Sequence, residues 1–380
     1  MNDFIPVNEP LFPGNEKKYL MECIDTGWVS SEGPFVEKFE KGVADFIGVS
    51  HGIALCNGTA ALETALYALD VKEGDEVIMP SFTIISCAIA CIRLGAVPIL
   101  VDIEPVTWTM DTAQIESRIS KKTRVIMPVH IYGHPVHMDD IFRLKEKYDL
   151  LILEDFAEAH GAEYYSEHYG GKWLKCGSMG DASATSFYAN KILTTGEGGM
   201  VVTDGPEMAD RARSYRNLCF SPENRFYHEE IGYNFRMTNL QAAVGVAQLE
   251  RVDDLIAKKR HMGDYYRQRL STIPGIRFQI EKPWAKSVYW MYAVELDPDL
   301  GIDAFTLREQ LRKKGIGTRP FFLGMHAQPV LQKKLGFKPN SCPRTDHAYH
   351  YGCYLPSGMN LTEKQVDKVC LALMEIMEKK

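Results

Sequence analysis

A single lysine beside a glycine-rich turn carries the most chemical promise in this 380-residue sequence. Lys191 follows an apolar run at residues 182–187, which predicts a β-strand, and it precedes Gly196 and Gly198. A lysine amine in this setting can form an imine with the aldehyde of a cofactor. The stretch is not a P-loop, because the chain has no GxxxxGK[ST], and it is not a dinucleotide loop, because Val201 replaces the third glycine. A solvated surface lysine is the alternative.

An acidic residue ends a second apolar run, at residues 150–153, which also predicts a strand. Asp155 would be buried there, and a buried carboxylate is costly unless it meets a cation. The protonated ring nitrogen of pyridoxal phosphate is such a cation, and its protonation makes the ring an electron sink. Asp155 is therefore a candidate partner of that ring nitrogen. The alternative is an ordinary helix N-cap, a common role for aspartate after a strand.

A third feature is the turn of small residues that joins a predicted strand at residues 52–56 to a predicted helix at residues 59–69. Gly58 and Thr59 open this helix directly after Asn57. Backbone N–H groups and the positive end of the helix dipole make such a turn suitable for binding phosphate. Asn57 acting as a plain N-cap is the alternative interpretation.

Alternating apolar and amphipathic stretches predict the elements that position these residues. Strands alternating with helices indicate βαβ units and a mostly parallel sheet, which binds ligands at the carboxyl ends of its strands. We therefore predict an α/β fold with a large domain at residues 1–250, including an N-terminal segment at 1–30, and a small domain at 251–380. The other predicted strands are 76–79, 97–102, 124–129 and 288–296. The other predicted helices are one that follows the strand at 76–79 and ends at residue 94, 138–148, one or two helices within 239–270, 303–314 and 362–378.

Composition and charge exclude several classes of protein. The chain is 45% hydrophobic and 24% charged, which is typical of a globular protein rather than a disordered or fibrous one. A formal net charge of −7 gives no overall attraction to nucleic acid or to an anionic membrane, so we expect neither as a partner. Nine cysteines, several of them in apolar runs, and an N-terminus unlike a signal peptide predict a cytoplasmic protein.

A cluster of potential zinc ligands is less convincing than it first looks. His347, His350 and Cys353 are spaced at three-residue intervals near the C-terminus. A structural zinc site needs a fourth ligand, and a catalytic one needs an open position with supporting residues. Ordinary core and surface positions explain the three residues better, so we predict no metal.

Taken across nearly the whole chain, these motifs resemble the DegT/DnrJ/EryC1/StrS family of pyridoxal-phosphate aminotransferases that act on nucleotide-linked keto sugars. The resemblance implies the fold-type I architecture, with a mostly parallel sheet and flanking helices in a large domain and a smaller C-terminal α/β domain. It also implies a homodimer with shared active sites. The segments that carry the resemblance are residues 28–33, 57–60, 80–83, 154–162, 186–191, 196–200 and 232–237.

The resemblance assigns roles around the cofactor, which alternates between pyridoxal phosphate and pyridoxamine phosphate. Lys191 is the catalytic residue that bonds to the cofactor aldehyde, and Asp155 pairs with the ring nitrogen. Phe82 stacks on the ring face, and Glu158 lies near the ring hydroxyl. Glu158 stands where many relatives have glutamine. The lysine itself favours amino transfer, because relatives with histidine at this position perform dehydration instead.

The resemblance also implies a phosphate site and substrate contacts. Gly58, Thr59 and Ser186 hold the cofactor phosphate, and Asn234 reaches it from the neighbouring subunit. His160 has two open roles, a structural hydrogen bond or proton handling beside the substrate. The expected substrate-binding residues are Trp28, Ser30, His160, Arg319 and His326.

The segment at residues 317–326 is most similar to the subgroup that aminates C4 of GDP-4-keto-6-deoxy-mannose, with L-glutamate as the amino donor. The first alternative keeps the chemistry and changes the substrate to a dTDP- or UDP-linked keto sugar. A more remote alternative is a cofactor-binding regulator or scaffold that has lost catalysis. The intact pair of Lys191 and Asp155 favours an enzyme.

Overall fold

The computed structural model describes residues 4–221 and 223–378. These residues form fourteen β-strands and twelve α-helices. The strands are β1 (His51–Leu55), β2 (Glu76–Pro80), β3 (Val97–Val101), β4 (Thr123–Ile126), β5 (Leu151–Asp155), β6 (Glu163–Ser166), β7 (Lys172–Lys175), β8 (Ala182–Ser186), β9 (Gly199–Thr203), β10 (Ile276–Phe278), β11 (Ala285–Lys286), β12 (Ala293–Leu296), β13 (Arg319–Pro320) and β14 (Gly352–Tyr354).

The helices lie before, between and after these strands. Short 3-10 segments, such as the one at Ile131–Gly133, join some of the elements. The α-helices are α1 (Glu16–Thr26), α2 (Pro34–Ile47), α3 (Gly58–Ala68), α4 (Ser86–Arg93), α5 (Met138–Tyr148), α6 (Pro206–Arg216), α7 (Asn239–Leu249), α8 (Val252–Leu270), α9 (Ala304–Lys313), α10 (Pro329–Leu335), α11 (Pro343–Tyr351) and α12 (Glu363–Glu378).

A seven-stranded sheet in the order β1-β9-β8-β5-β4-β2-β3 forms the centre of the molecule. β9 pairs antiparallel with both of its neighbours, whereas the other paired strands of this sheet are parallel. Strands β2 and β5 are almost completely buried, as expected for parallel strands covered on both faces. The carboxyl ends of β1, β2, β5 and β8 lie along the same edge, where the polar residues after each strand meet.

A second sheet, in the order β10-β12-β14-β13, is antiparallel and belongs to the C-terminal part of the chain. α8, α9 and α12 pack beside it and form a second hydrophobic core with residues such as Leu307 and Leu373. The N-terminus joins this core. Ile5 forms a parallel bridge with Ile316, in which the Ile5 N–H donates to the Gly315 carbonyl at 2.8 Å.

The predicted α/β class and mostly parallel central sheet are confirmed, but several predicted elements differ in detail. Of the one or two helices predicted at residues 239–270, the structure has two, α7 and α8. The strand predicted at residues 288–296 is regular only at Ala293–Leu296. The domain boundary between residues 250 and 251 stays a prediction. α8 contributes Leu255 to the first core and Tyr266 to the second.

The predictions about membranes and metals concern absences. Within residues 4–221 and 223–378, none of the helices combines the length and the apolar character needed to cross a bilayer. In the same ranges, no three histidine, cysteine or acidic side chains are grouped as metal ligands would be. His347 instead lies 3.5 Å from the carboxylate of Glu295.

Candidate active site

The turn between β1 and α3 lies directly against the end of β8. Asn57 caps α3, because its Oδ1 accepts the N–H of Ala60 at 2.8 Å. A Cβ atom on Gly58 would lie only 2.8 Å from the Cβ of Ser186, so glycine is required for this close approach. The first N–H groups of a helix have no partner within it. The N-terminus of α3 and the Ser186 hydroxyl therefore form a cradle for an anion.

Asp155 ends the central strand β5 and is only 4% exposed. Its Oδ1 accepts the N–H of Ala157 at 3.0 Å, and its Oδ2 accepts the thiol of Cys87 at 3.3 Å. Burial raises the pKa of this carboxyl, while the backbone hydrogen bond from Ala157 acts in the opposite direction. No ammonium or guanidinium group of the described residues forms an ion pair with it. Asp155 is therefore a desolvated acid that a ligand cation would stabilise.

Lys191 lies in the connection between β8 and β9. Backbone hydrogen bonds from Lys191 N to Tyr188 O at 2.8 Å and from Thr195 N to Phe187 O at 2.9 Å fold this connection into tight turns. The Lys191 Nζ lies 3.5 Å from Glu158 Oε1. Its other close neighbour is the ring of Trp290, whose centroid is 3.9 Å away. The amino group is thus held between a carboxylate and an aromatic face.

Glu158 is the second buried acid of the site. Its Oε2 accepts the N–H of Tyr132 at 2.8 Å, and its Oε1 faces Lys191. Burial raises the pKa of Glu158 to about 6, although the Lys191 charge and the Tyr132 hydrogen bond both act to lower it. A carboxyl group at this position can hold or release a proton near neutral pH, which the amide of a glutamine cannot do.

These groups line one cleft of about 390 Å³ at the carboxyl edge of the central sheet. Its walls also include side chains from the C-terminal part of the chain, namely Trp290, Phe322 and Tyr354. Of the residues predicted from the sequence, the structure brings together Gly58, Thr59, Asp155, Glu158, Ser186 and Lys191. Their individual roles toward the cofactor stay predictions.

Phe82 does not lie where the sequence predicted it. Its side chain is fully buried and packs against the rings of Tyr132, Phe321 and Phe322. An aromatic cluster can bury a phenylalanine completely, whereas a stacking residue must face the cleft. Ile84, two residues later and 45% exposed, lines the cleft instead. Phe82 is therefore not part of the cleft wall, whereas Ile84 is. Which of the two would meet a cofactor ring stays a prediction.

Both predicted histidines are buried outside the cleft. His160 shares a 2.7 Å hydrogen bond with the Thr185 hydroxyl and stacks on Phe187, and burial lowers its pKa to about 3. A neutral, enclosed imidazole suits the structural alternative and not proton handling beside a substrate. His326 is completely buried between the Ser81 hydroxyl and the Asp346 carboxylate, at 2.7 and 2.9 Å.

Three further predicted residues lie away from the cleft of their own chain. Trp28 is 50% exposed, and its carbonyl accepts the side-chain amide of Asn239 at 2.7 Å. The Ser30 carbonyl accepts the Asn239 N–H at 2.6 Å. Asn234 accepts a 2.9 Å hydrogen bond from Arg236 and is not part of the cleft wall. The predicted roles of these three residues toward the cofactor and the substrate stay predictions.

Arg319 lies in a neighbouring groove that continues from the cleft. The groove is lined by N-terminal residues, including Asn8, and by Arg319 from β13. It shares Tyr188, Asn190 and Tyr354 with the cleft. The exposed guanidinium of Arg319 is therefore next to the site but not inside it.

The sequence did not point to the aromatic residues of the cleft. Trp290 and Tyr354 come from distant parts of the chain, and each lies within an apolar stretch that reads as ordinary core. Ile84 was hidden in the same way beside the more conspicuous Phe82. No local pattern could have found them, because only the folded arrangement brings them to Lys191.

The fold and this cleft together define the class of pyridoxal-phosphate-dependent aminotransferases with an α/β architecture. Residues 13–374 match the model of the DegT/DnrJ/EryC1/StrS aminotransferase family. The chain belongs to that family. The predicted family, fold class, enzyme class and cofactor are thereby confirmed.

Named relatives match over nearly their full length. A GDP-perosamine synthase of Caulobacter vibrioides is 40% identical over 98% of this chain and 98% of the relative. A GDP-perosamine synthase of Escherichia coli O157:H7 is 38% identical over 99% of this chain and the whole of the relative. The solved structure of DesV from S. venezuelae superimposes with a TM-score of 0.88 at 32% identity, covering 96% of this chain and 94% of DesV.

The residues of the cleft fit pyridoxal phosphate in three respects. Asp155 is a buried acid whose protein partners are only a thiol and an N–H, which leaves it free to pair with a protonated ring nitrogen. The Gly58 turn and Ser186 offer an anion cradle of the kind that binds phosphate. Lys191 presents a primary amine inside the same cleft.

Proposed function

We propose that this protein transfers an amino group from L-glutamate to C4 of GDP-4-keto-6-deoxy-mannose and so forms GDP-perosamine. The observation that carries the proposal is the extent of similarity to two relatives named GDP-perosamine synthase, at 40% and 38% identity over nearly complete chains. The cleft supports it, since it combines Lys191 with a buried acid and an anion cradle.

The cofactor would be held by residues from three elements of the central sheet. Lys191 would bond to its aldehyde carbon, Asp155 would face its ring nitrogen, and the Gly58–Thr59 turn with Ser186 would bind its phosphate. Glu158 would lie beside the ring hydroxyl. Pyridoxal phosphate supplies an electron-withdrawing ring that makes the substrate proton acidic.

Asp155 holds a proton in place opposite its carboxylate. Because the carboxyl is desolvated, a positive charge at the facing atom is strongly favoured over a neutral one. The Ala157 N–H and the Cys87 thiol fix the orientation of its two oxygens. The acid would therefore orient the ring nitrogen of a bound cofactor and favour its protonated form.

Lys191 moves the proton. With its amine free, Nζ would hold or move a proton beside the substrate carbon, as a general base and acid in turn. Glu158 Oε1, 3.5 Å from Nζ, can exchange a proton with it. Trp290, Phe322 and Tyr354 line the same cleft and give it an aromatic wall.

The substrate is tested with a panel of purified GDP-, dTDP- and UDP-linked 4-keto-6-deoxy sugars, each with glutamate and the loaded enzyme. Conversion is measured as the mass change from ketone to amine. We expect turnover with the GDP sugar at a kcat/KM at least tenfold above the others. Preference for a dTDP or UDP sugar would overturn the proposed substrate but not the chemistry.

The remote alternative, a scaffold without catalysis, is tested separately. Glutamate alone should bleach the visible absorbance of the bound cofactor, because the donor half of the reaction needs no sugar. Lys191→Ala is the matched control, and glutamate should not bleach its cofactor absorbance on the timescale of wild-type turnover. A wild-type protein that binds the cofactor but does not react with glutamate would favour the scaffold.

We also propose that the protein is a homodimer with shared active sites. Support comes from large apolar side chains that are exposed in the single chain, on α1 and on the loop that ends at Asn234. Phe226 and Ile231 are each more than 80% exposed. Exposed apolar side chains that adjoin one another usually mark a protein contact. Other large exposed apolar groups are Met21 and Ile24 on α1, Trp28 shortly after it, and Tyr227 on the loop.

The dimer is tested by light scattering of Ile231→Asp. We expect this variant to dissociate at micromolar concentration, because a carboxylate would be buried against apolar groups. Phe305→Asp on α9 is the control, since Phe305 is also well exposed but lies in the C-terminal part of the chain. A dimeric Ile231→Asp protein would contradict this placement of the interface.

A cytoplasmic location is the third part of the proposal. All nine cysteines are free thiols, and most are buried. Free thiols persist in a reducing compartment, where disulfides do not form. Fractionation of the native host cells, with assay of each fraction for aminotransferase activity, tests this placement.

A further inference from the structure

The segment that follows β11 is hydrogen-bonded to the 3-10 segment at Ile131–Gly133. Its backbone N–H groups at Val288 and Trp290 donate to the carbonyls of Gly133 and Tyr132, at 3.1 and 3.0 Å. A Cβ atom on Gly133 would lie 3.0 Å from the Trp290 nitrogen, so this approach needs glycine. Tyr289 has a φ of +46°, a costly conformation for an aromatic residue. Such strain persists only where surrounding contacts impose it.

A buried lysine holds the same segment from the other side. Lys259 of α8 donates from Nζ to the Trp290 carbonyl at 2.8 Å and also to the Ser357 carbonyl. Burial lowers its pKa to about 7, and neither partner is charged. Burying an amine only to bind two carbonyls is expensive. The position of Trp290 is therefore strongly determined.

The Trp290 side chain ends on the lysine loop. Its indole N–H donates to the Asn190 carbonyl at 2.7 Å, and its ring lies 3.9 Å from the Lys191 Nζ. One side chain thus contacts both the backbone immediately before the catalytic lysine and the lysine nitrogen itself. A tryptophan that merely filled the core would need neither contact.

We propose that Trp290 is a positioning residue that fixes the amino group of Lys191 and stabilises positive charge on its nitrogen. The electron-rich ring face attracts a cation at this distance. The indole N–H prevents the loop from moving the lysine away. The inference rests on the role proposed for Lys191, and its test separates the two.

The test uses the visible absorbance of the pyridoxal-phosphate-loaded protein, titrated with pH, in Trp290→Phe and Trp290→Leu. In Trp290→Leu the pH midpoint of the band should fall by about one unit, because the charged nitrogen loses the ring that stabilises it. In Trp290→Phe the ring remains, so the midpoint should stay within about 0.3 units of wild type. If Trp290 had a purely structural role, the pH midpoints of Trp290→Phe and Trp290→Leu would not differ in this way.

Trp173→Leu is the matched control. The Lys286 Nζ lies 4.1 Å from the centroid of the Trp173 ring, so this pair has a similar geometry. Trp173 is exposed and lies on β7, away from the cleft. The pH midpoint of the visible band of Trp173→Leu should equal that of wild type. Thermal unfolding checks that each variant is folded. If Trp290→Leu does not fold, Trp290→Met replaces it, since methionine fills the space without a ring.

Two outcomes are decisive. Equal midpoints in wild type, Trp290→Phe and the ringless variant would overturn the role of Trp290. A wild-type protein with no lysine-dependent band, one that looks like Lys191→Ala, would instead overturn the role of Lys191. The expected order, with only the ringless variant shifted, supports the inference.

Discussion

At the scale of single residues, burial gives the two acids of the cleft their chemical character. Asp155 and Glu158 are both nearly inaccessible to water, and burial is the largest influence on the pKa of each. They differ in their partners. Asp155 has only neutral donors, whereas Glu158 faces the charged amine of Lys191. Asp155 is therefore suited to pair with a ligand cation, and Glu158 with the lysine.

Glu158→Gln should alter how the stability of the apo-protein depends on pH. The folded pKa of Glu158, about 6, lies above its ordinary value of 4.5, so the folded state binds this proton more tightly than the unfolded state. Wild-type stability should therefore fall, relative to the variant, as pH rises from 4.5 to 6. The difference in free energy of unfolding between wild type and Glu158→Gln should change by about 2 kcal/mol over this pH range. Urea unfolding at several pH values measures it, and a pH-independent difference would contradict it.

Asp155→Asn should slow chemistry much more than it weakens cofactor binding. The amide keeps the shape of the side chain and removes the charge that holds the ring nitrogen protonated. We expect the single-turnover rate with glutamate to fall roughly 10²- to 10³-fold, as when a preorganised electrostatic group is lost. Cofactor affinity should change far less, since the phosphate cradle is intact. An unchanged rate would reject this role.

Lys191→Ala should abolish turnover and leave the fold intact. The side chain lies on the wall of the cleft and forms one long ion pair, so few packing contacts are lost. Circular dichroism and the thermal midpoint of the apo-protein should match wild type within a few degrees. Retention of wild-type turnover would show that another group bonds to the cofactor.

The sequence identified those site residues whose type is unusual for their place in the predicted elements. Lys191 precedes a glycine-rich turn, and Asp155 ends a buried strand, so each stands out locally. Phe82 lies outside the cleft wall while Ile84 lines it, because a local sequence does not tell which of several neighbouring apolar side chains faces a cleft. Trp290 was missed entirely, since its contact with Lys191 joins residues about a hundred positions apart.

At the scale of elements, the close approach of β9 to the phosphate turn is the most demanding feature. Gly199 begins β9 and pairs with Leu55 on one side and Ser186 on the other. A Cβ atom there would lie 2.3 Å from the Asn57 carbonyl oxygen. Any side chain would push β9 away from the start of α3.

Gly199→Ala should therefore lower both stability and cofactor affinity. Relieving the clash moves backbone, which typically costs about 1–3 kcal/mol in the free energy of unfolding. Gly205→Ala is the control, because its added Cβ would meet only the mobile end of Met208. Urea unfolding and cofactor titration measure the two effects. If Gly199→Ala and Gly205→Ala had the same free energy of unfolding and the same cofactor affinity, the turn would tolerate a side chain at Gly199.

The boundaries of an element were predictable where the spacing of its apolar residues stayed regular along its whole length. The helix predicted at residues 138–148 has those limits in the structure, at Met138–Tyr148. The strand predicted at residues 288–296 was too long, because its first half is fixed by contacts with Tyr132, Gly133 and Lys259 and not by a ladder. The antiparallel direction of β9 was also invisible, since β-strand patterning carries no sense of direction.

At the scale of the whole molecule, the position of Asn234 makes the shared active site testable. Asn234 is not part of the cleft wall of its own chain, so we place its proposed contact with the cofactor phosphate in the partner subunit. In a mixed dimer of Lys191→Ala and Asn234→Asp, one site receives its lysine and its asparagine from the two intact copies. The other site carries both defects.

Equal amounts of the two inactive variants, co-refolded with different tags, should regain turnover well above either parent. The aspartate is chosen because a carboxylate facing a phosphate adds repulsion to the lost donor. If Asn234 serves only its own chain, through its hydrogen bond with Arg236, both defects act within single subunits. Purified mixed dimers as inactive as their parents would then be observed.

The bridge between Ile5 and Ile316 has a consequence for how the chain is made. Ile5 emerges from the ribosome about 310 residues before its partner, a wait of roughly 15 to 60 s at ordinary synthesis rates. Until then, an apolar residue that ends 2% exposed has no core to enter. The C-terminal core is thus closed by a segment translated about 310 residues before it, and a stalled chain leaves that segment open to chaperones and proteases.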